Sequence, residues 1–154
     1  MNYQPQSRQT NYKSDPVTEL NKKLKATVLT INDTVNPELL KTYAEKYGKL
    51  LGGMSSTQLR KFYDEVVLLE KRIIIDKQDF KIIYPSILML HSKLAYAAGK
   101  EKNKGKKESL KGFMEFMKIL VDKVDSSPEK GKQDFRALKL FFEAVVGYYT
   151  FHNK

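Results

Sequence analysis

The side chains able to do chemistry are few and widely separated. The two histidines, His91 and His152, stand 61 positions apart, and neither has a second ligand at metal-binding spacing. His91 falls at the edge of an apolar stripe and reads as a boundary histidine; His152, third from the end, reads as frayed. With no cysteine, thiolate zinc sites, Fe–S clusters, disulfides and cysteine nucleophiles are excluded. The acids interleave with lysines, Asp64 and Glu65 after Arg60 and Lys61, Glu143 after Lys139, as in solvated pairs on helix surfaces. Gly52-Gly53 sits where a helix should stop, and no glycine-rich phosphate loop follows a strand. The expectation is a protein that is not an enzyme and needs no cofactor or metal.

Binding is better served. Met89, Lys93, Tyr96 and Lys100 fall within about 60° of one another at helical spacing, opposite the Ile87–Leu94 stripe. Ammonium groups neutralise phosphates whatever the sequence, and a tyrosine ring stacks on an unpaired base or ribose. A solvated helix face with one exposed tyrosine has the same spacing. Arg60 with Lys71, and Lys61 with Arg72, are eleven residues apart on two edges of one helix, about 16 Å along its axis.

These residues sit in a chain of 154 residues with 28 Lys+Arg, 18 Asp+Glu and a net charge of +10, a balance that favours a polyanionic or acidic partner. Residues 99–109 carry +3 of that excess. Apolar runs of three or four residues fall far short of the roughly 20 a membrane span needs, and the polar first fifteen residues carry no secretory signal. A cytoplasmic protein without membrane contact is expected.

The elements that must position the basic residues are helices. Residues 1–34 read as a flexible or weakly structured segment: an amide-rich start, then a short helix after Ser14-Asp15-Pro16 and an extended candidate at Thr27-Val28-Leu29-Thr30-Ile31. Residues 35–154 read as the bundle domain. Asn36-Pro37 opens one helix; Ser55 and Gln58 have capping-box spacing before a stripe of Leu59, Phe62, Tyr63, Val66, Leu69, Ile73 and Ile74. Pro85 kinks or restarts the next helix, which Gly99 ends, and residues 99–109 read as a solvated basic loop. Leu110 to Val124 supply a further stripe. The last helix repeats Phe135, Leu138, Phe142, Val145 and Tyr149, leaving a narrow polar strip of Arg136, Lys139 and Glu143. The expected fold is all-α, a compact bundle of about five helices with a flexible N-terminal tail.

Three blocks carry a resemblance. Ser56-Thr57-Gln58-Leu59-Arg60-Lys61-Phe62-Tyr63, Lys93-Leu94-Ala95-Tyr96-Ala97-Ala98-Gly99-Lys100 and Phe135-Arg136-Ala137-Leu138-Lys139-Leu140-Phe141-Phe142-Glu143-Ala144-Val145-Val146, in that order, resemble the small subunit of the type III-A CRISPR effector, the Csm complex. Lys100 stands where that pattern often has arginine, which keeps the charge without the bidentate fork. The resemblance implies a small helical, non-catalytic subunit whose copies stack head to tail along crRNA and target RNA among the other subunits of the complex, in defence against foreign nucleic acid. It implies RNA-facing roles for Arg60, Lys61, Lys93, Tyr96 and Lys100, with Arg136 and Lys139 as additions; Phe62, Leu94 and Phe142 are assigned to the core although they lie within the matching blocks. The alternatives are a helix-turn-helix-like DNA-binding regulator and a helical protein-interaction module that binds no nucleic acid.

Overall fold

Two leucines one helical turn apart anchor the first element. A computed structural model describes residues 16–153. Helix α1 (Pro16–Lys25) starts on its proline and buries Leu20, Asn21 and Leu24. The short strands β1 (Thr30–Ile31) and β2 (Thr34–Val35) then pair antiparallel, Thr30 opposite Val35 and Ile31 opposite Thr34. Their two-residue turn places Asn32 at φ 52° and Asp33 at φ 64°, left-handed positions that these two residue types tolerate and a tight hairpin needs. Asn36 ties the two sides of the hairpin to the helical segment beyond it: its Nδ2 donates to Val28 O at 2.9 Å, and its Oδ1 accepts from the Glu38 amide at 3.1 Å. A π-helical turn, Leu39–Tyr43, leads into α2 (Ala44–Leu50), which ends in a 3₁₀ turn at Leu51–Gly53.

Four long helices complete the fold: α3 (Ser56–Ile74), α4 (Phe80–Lys100), α5 (Lys104–Asp122) and α6 (Pro128–His152). The Ser55 hydroxyl accepts the Gln58 amide at 3.1 Å, the expected cap. Pro85 lies inside one continuous helix: α4 starts at Phe80 on the Asp79 cap and absorbs the missing amide early in its length. Phe135, Leu138, Phe142, Val145 and Tyr149 are all buried, and α6 packs against α2, α3, α4 and the hairpin, so its broad apolar surface is central to the core. Gly48 marks the closest approach: a Cβ there would sit 2.6 Å from Tyr148 Cβ and 2.8 Å from the Tyr149 amide, so α2 can seat on α6 only as glycine.

The all-α class holds apart from the hairpin, but four expectations change. The described residues form six α-helices, not five. The part of residues 1–34 that is described is ordered: Leu20 and Leu24 join the same core as α6, and Tyr47 hydrogen-bonds the buried Asn21. The expectation of a tail at residues 1–15 lies outside the described residues. Residues 99–109 are mostly helix: α4 runs through Gly99 to Lys100, and Asn103 caps α5 by accepting the Lys106 amide at 3.0 Å. Lysine and glutamate are good helix formers, and a cap is enough to start a helix that buries nothing in its first turns. His152 is not frayed. It lies within α6, with Nε2 3.1 Å from Glu45 Oε1.

Candidate nucleic-acid interface

Helices α3 and α4 lie side by side, joined by a turn in which Lys77 adopts φ 50° and the Arg72 Nε donates to Gln78 Oε1 at 3.0 Å. Between their outer faces runs a groove of about 730 Å³. Lys61 from α3 and Lys93, Tyr96 and Lys100 from α4 line it, with Met89 and Glu65. The strip expected from helical spacing is therefore present: 4-, 3- and 4-residue steps from Met89 to Lys100 hold one outward face. Tyr96 is 66% exposed, and the Lys100 ammonium rides over its ring at 4.8 Å from the centroid. Cation and ring thus meet on one exposed surface. Phe62 and Leu94 are buried beneath, as expected for core residues.

Arg60 is exposed on α3 and borders an adjoining concavity that shares Lys61 and Glu65 with the groove. The basic residues of the first two blocks thus form one continuous surface. Arg136 and Lys139 are not part of it. Lys139 Nζ lies 2.8 Å from Glu143 Oε2 and 3.9 Å from Glu70 Oε1, with its side chain only 17% exposed. Glu70 is five residues beyond Glu65, about 140° around α3, so Lys139 sits on the flank away from the groove. The Glu143 hydrogen bond, with the nearby Glu70 charge, holds the Lys139 ammonium above the ordinary lysine range although burial opposes it. Arg136 is exposed one turn earlier on α6.

Glu65 is the groove residue that sequence reasoning passed over. Its Oε2 accepts from Lys93 Nζ at 3.3 Å, linking α3 to α4. The signal was its position one turn after Lys61; the partner, 28 residues on, was not visible. Among the described residues no three His, Asp or Glu side chains converge as a metal site would require, and no helix is long and apolar enough to cross a membrane.

Comparison with known families gives a match over most of the chain: the family model described as Csm2 Type III-A covers residues 34–154. No curated protein and no solved structure matches.

Proposed function

Since this chain belongs to the Csm2 family, a subunit family of the type III-A CRISPR effector complex, we propose that it is a non-catalytic RNA-binding subunit of that ribonucleoprotein. Copies of it stack head to tail along the crRNA and its target RNA, beside the other subunits, in defence against invading nucleic acid in the cytoplasm. The observation that carries the RNA-binding reading is the α3–α4 groove, which brings Lys61, Lys93 and Lys100 around an exposed Tyr96. Side chains of this kind contact sugar-phosphate and an aromatic face without reading sequence, as suits a machine in which base pairing reads the target. Arg60 extends the surface, and the exposed Arg136 is a secondary contact.

Stacking draws support from two apolar surfaces at opposite ends. Ile74, Ile75 and Ile82 are exposed around the α3–α4 turn, Ile75 at 68%. Ala144, Gly147, Tyr148 and Phe151 line a nearly wholly apolar hollow near the end of α6. Tyr149 bonds Met54 just before α3, while Gly131 at the other end of α6 abuts Phe80, so the hollow and the isoleucine cluster lie toward opposite ends of the bundle. Unlike surfaces at two ends make a heterologous, repeating contact.

Co-expression with the genes of the other complex subunits, followed by affinity purification of this chain, tests the proposal. Recovery of a ribonucleoprotein containing a guide RNA is expected; recovery of this chain alone overturns it. A gel shift with single-stranded RNA against duplex DNA separates it from a DNA-binding regulator.

A further inference from the structure

The charge inside the groove does not suit a rail for phosphates alone. Lys61, Lys93 and Lys100 are set against Glu65 and Glu101, leaving one net positive charge. The adjoining concavity balances Arg60 and Lys61 against Asp64 and Glu65. Glu65 lines both and holds the Lys93 ammonium at 3.3 Å. A carboxylate there repels any phosphate that comes to Lys93.

The same carboxylate is a strong acceptor. With about four lone-pair positions, it keeps acceptor capacity after one ion pair. Ser92, also on the groove, donates its hydroxyl proton to Met89 O at 3.0 Å, which leaves its oxygen as an acceptor too. Acceptors set among lysines match a ligand that presents donors between its phosphates. In a sugar-phosphate chain that donor is the ribose 2′-hydroxyl, which deoxyribose lacks. Beside it, Tyr96 offers a flat exposed ring for an unpaired base.

We propose that the α3–α4 groove is a ribose-reading site for unpaired RNA, in which Glu65 accepts a hydrogen bond from a 2′-hydroxyl and so selects RNA over DNA. The lysines take the flanking phosphates, and Tyr96 stacks on a base. With RNA the hydroxyl offsets the repulsion between Glu65 and phosphate; with DNA the repulsion stands uncompensated. This inference rests on the groove being the RNA surface and adds a role for the acid within it.

Fluorescence anisotropy of the full chain with labelled single strands of one sequence, as RNA and as DNA, tests it on the native protein, Glu65→Gln and Tyr96→Ala. A hydrogen bond to a charged acceptor corresponds to a native preference for RNA of about tenfold. Glu65→Gln is expected to bind DNA several-fold tighter with RNA affinity little changed, so the preference collapses. Tyr96→Ala loses affinity for both alike. An unchanged preference in Glu65→Gln, or an equal gain for both strands, overturns the ribose assignment while leaving RNA binding intact. Absence of binding to either strand by the native protein overturns the RNA surface and the ribose assignment together.

Discussion

The phenol of Tyr47 on α2 donates a 2.7 Å hydrogen bond to Asn21 Oδ1 on α1, between two buried side chains 26 residues apart. It fastens a ten-residue helix that has only two buried leucines of its own. Removing the hydroxyl leaves the asparagine oxygen buried without a donor, a cost of about 1–3 kcal/mol. Tyr47→Phe is therefore expected to lower the denaturant midpoint at an unchanged slope. Adding Asn21→Leu removes the orphaned amide as well and is expected to recover part of the loss. A double variant no more stable than Tyr47→Phe would show that the bond matters less than the packing around it.

High pH should unfold the protein through its phenols. Burial pushes the Tyr47, Tyr63 and Tyr149 hydroxyls above the ordinary tyrosine value of 10.0; Tyr43 adds to this for Tyr47, and Glu143 for Tyr63. The folded state keeps these protons where the unfolded chain has begun to lose them. Their contribution is thus complete below about pH 10 and is lost as pH rises through the folded values. Lys139, raised chiefly by its Glu143 hydrogen bond, has the same sign; Lys123, lowered by burial, has the opposite one. Urea midpoints are expected to be flat from about pH 8 to 9 and to fall from about pH 10 upward. Phenolate absorbance read on the same samples should rise together with unfolding, not before it.

Stacking through the two ends can be broken from either side. Ile75 and Phe151 are both exposed, Phe151 at 75%, and neither is in the core. Ile75→Asp or Phe151→Asp places a charge in an apolar contact while leaving the fold unstrained. Each alone is expected to abolish concentration-dependent assembly of this chain, in sedimentation or light scattering, without lowering the melting temperature, because every head-to-tail junction then carries the altered residue. Mixing the two variants should give dimers and nothing longer, because each retains one intact end. Unaltered assembly in both variants would refute the contact.

Periodicity made the buried faces of α3, α5 and α6 legible, because a stripe such as Phe135, Leu138, Phe142, Val145 and Tyr149 reports burial directly. It reports helicity only through burial. Lys104 to Glu108 are helical and exposed or nearly so, and what starts them is the Asn103 cap, a single residue in a lysine-rich run. The docking of helix α1 onto the core was hidden for a related reason: its third buried position is Asn21, a polar residue whose partner lies 26 residues away. The groove was half legible. One helix face fixes Met89, Lys93, Tyr96 and Lys100, while Lys61 and Glu65 join them only because α3 packs beside α4. The same contact geometry, invisible in a one-dimensional pattern, sends Lys139 to the far flank of α3.

That separation gives two lysines opposite expected phenotypes. Lys93 is half-exposed and pairs with Glu65 at 3.3 Å, a surface pair worth at most about 1 kcal/mol. Lys93→Ala, and likewise Arg60→Ala, should weaken RNA binding, lower the salt slope by about one unit each, and leave the melting temperature nearly unchanged. Lys139 is largely buried between Glu70 and Glu143, and Glu70 Oε2 is buried with no hydrogen-bond partner among the described residues. Lys139→Met takes away a cation that pairs with both carboxylates and should destabilise the fold by about 1–3 kcal/mol. Once folded, that variant should bind RNA with native affinity and native salt slope. Reduced slope in Lys139→Met at full stability would move the RNA surface to α6, and would place the α3–α4 groove outside it.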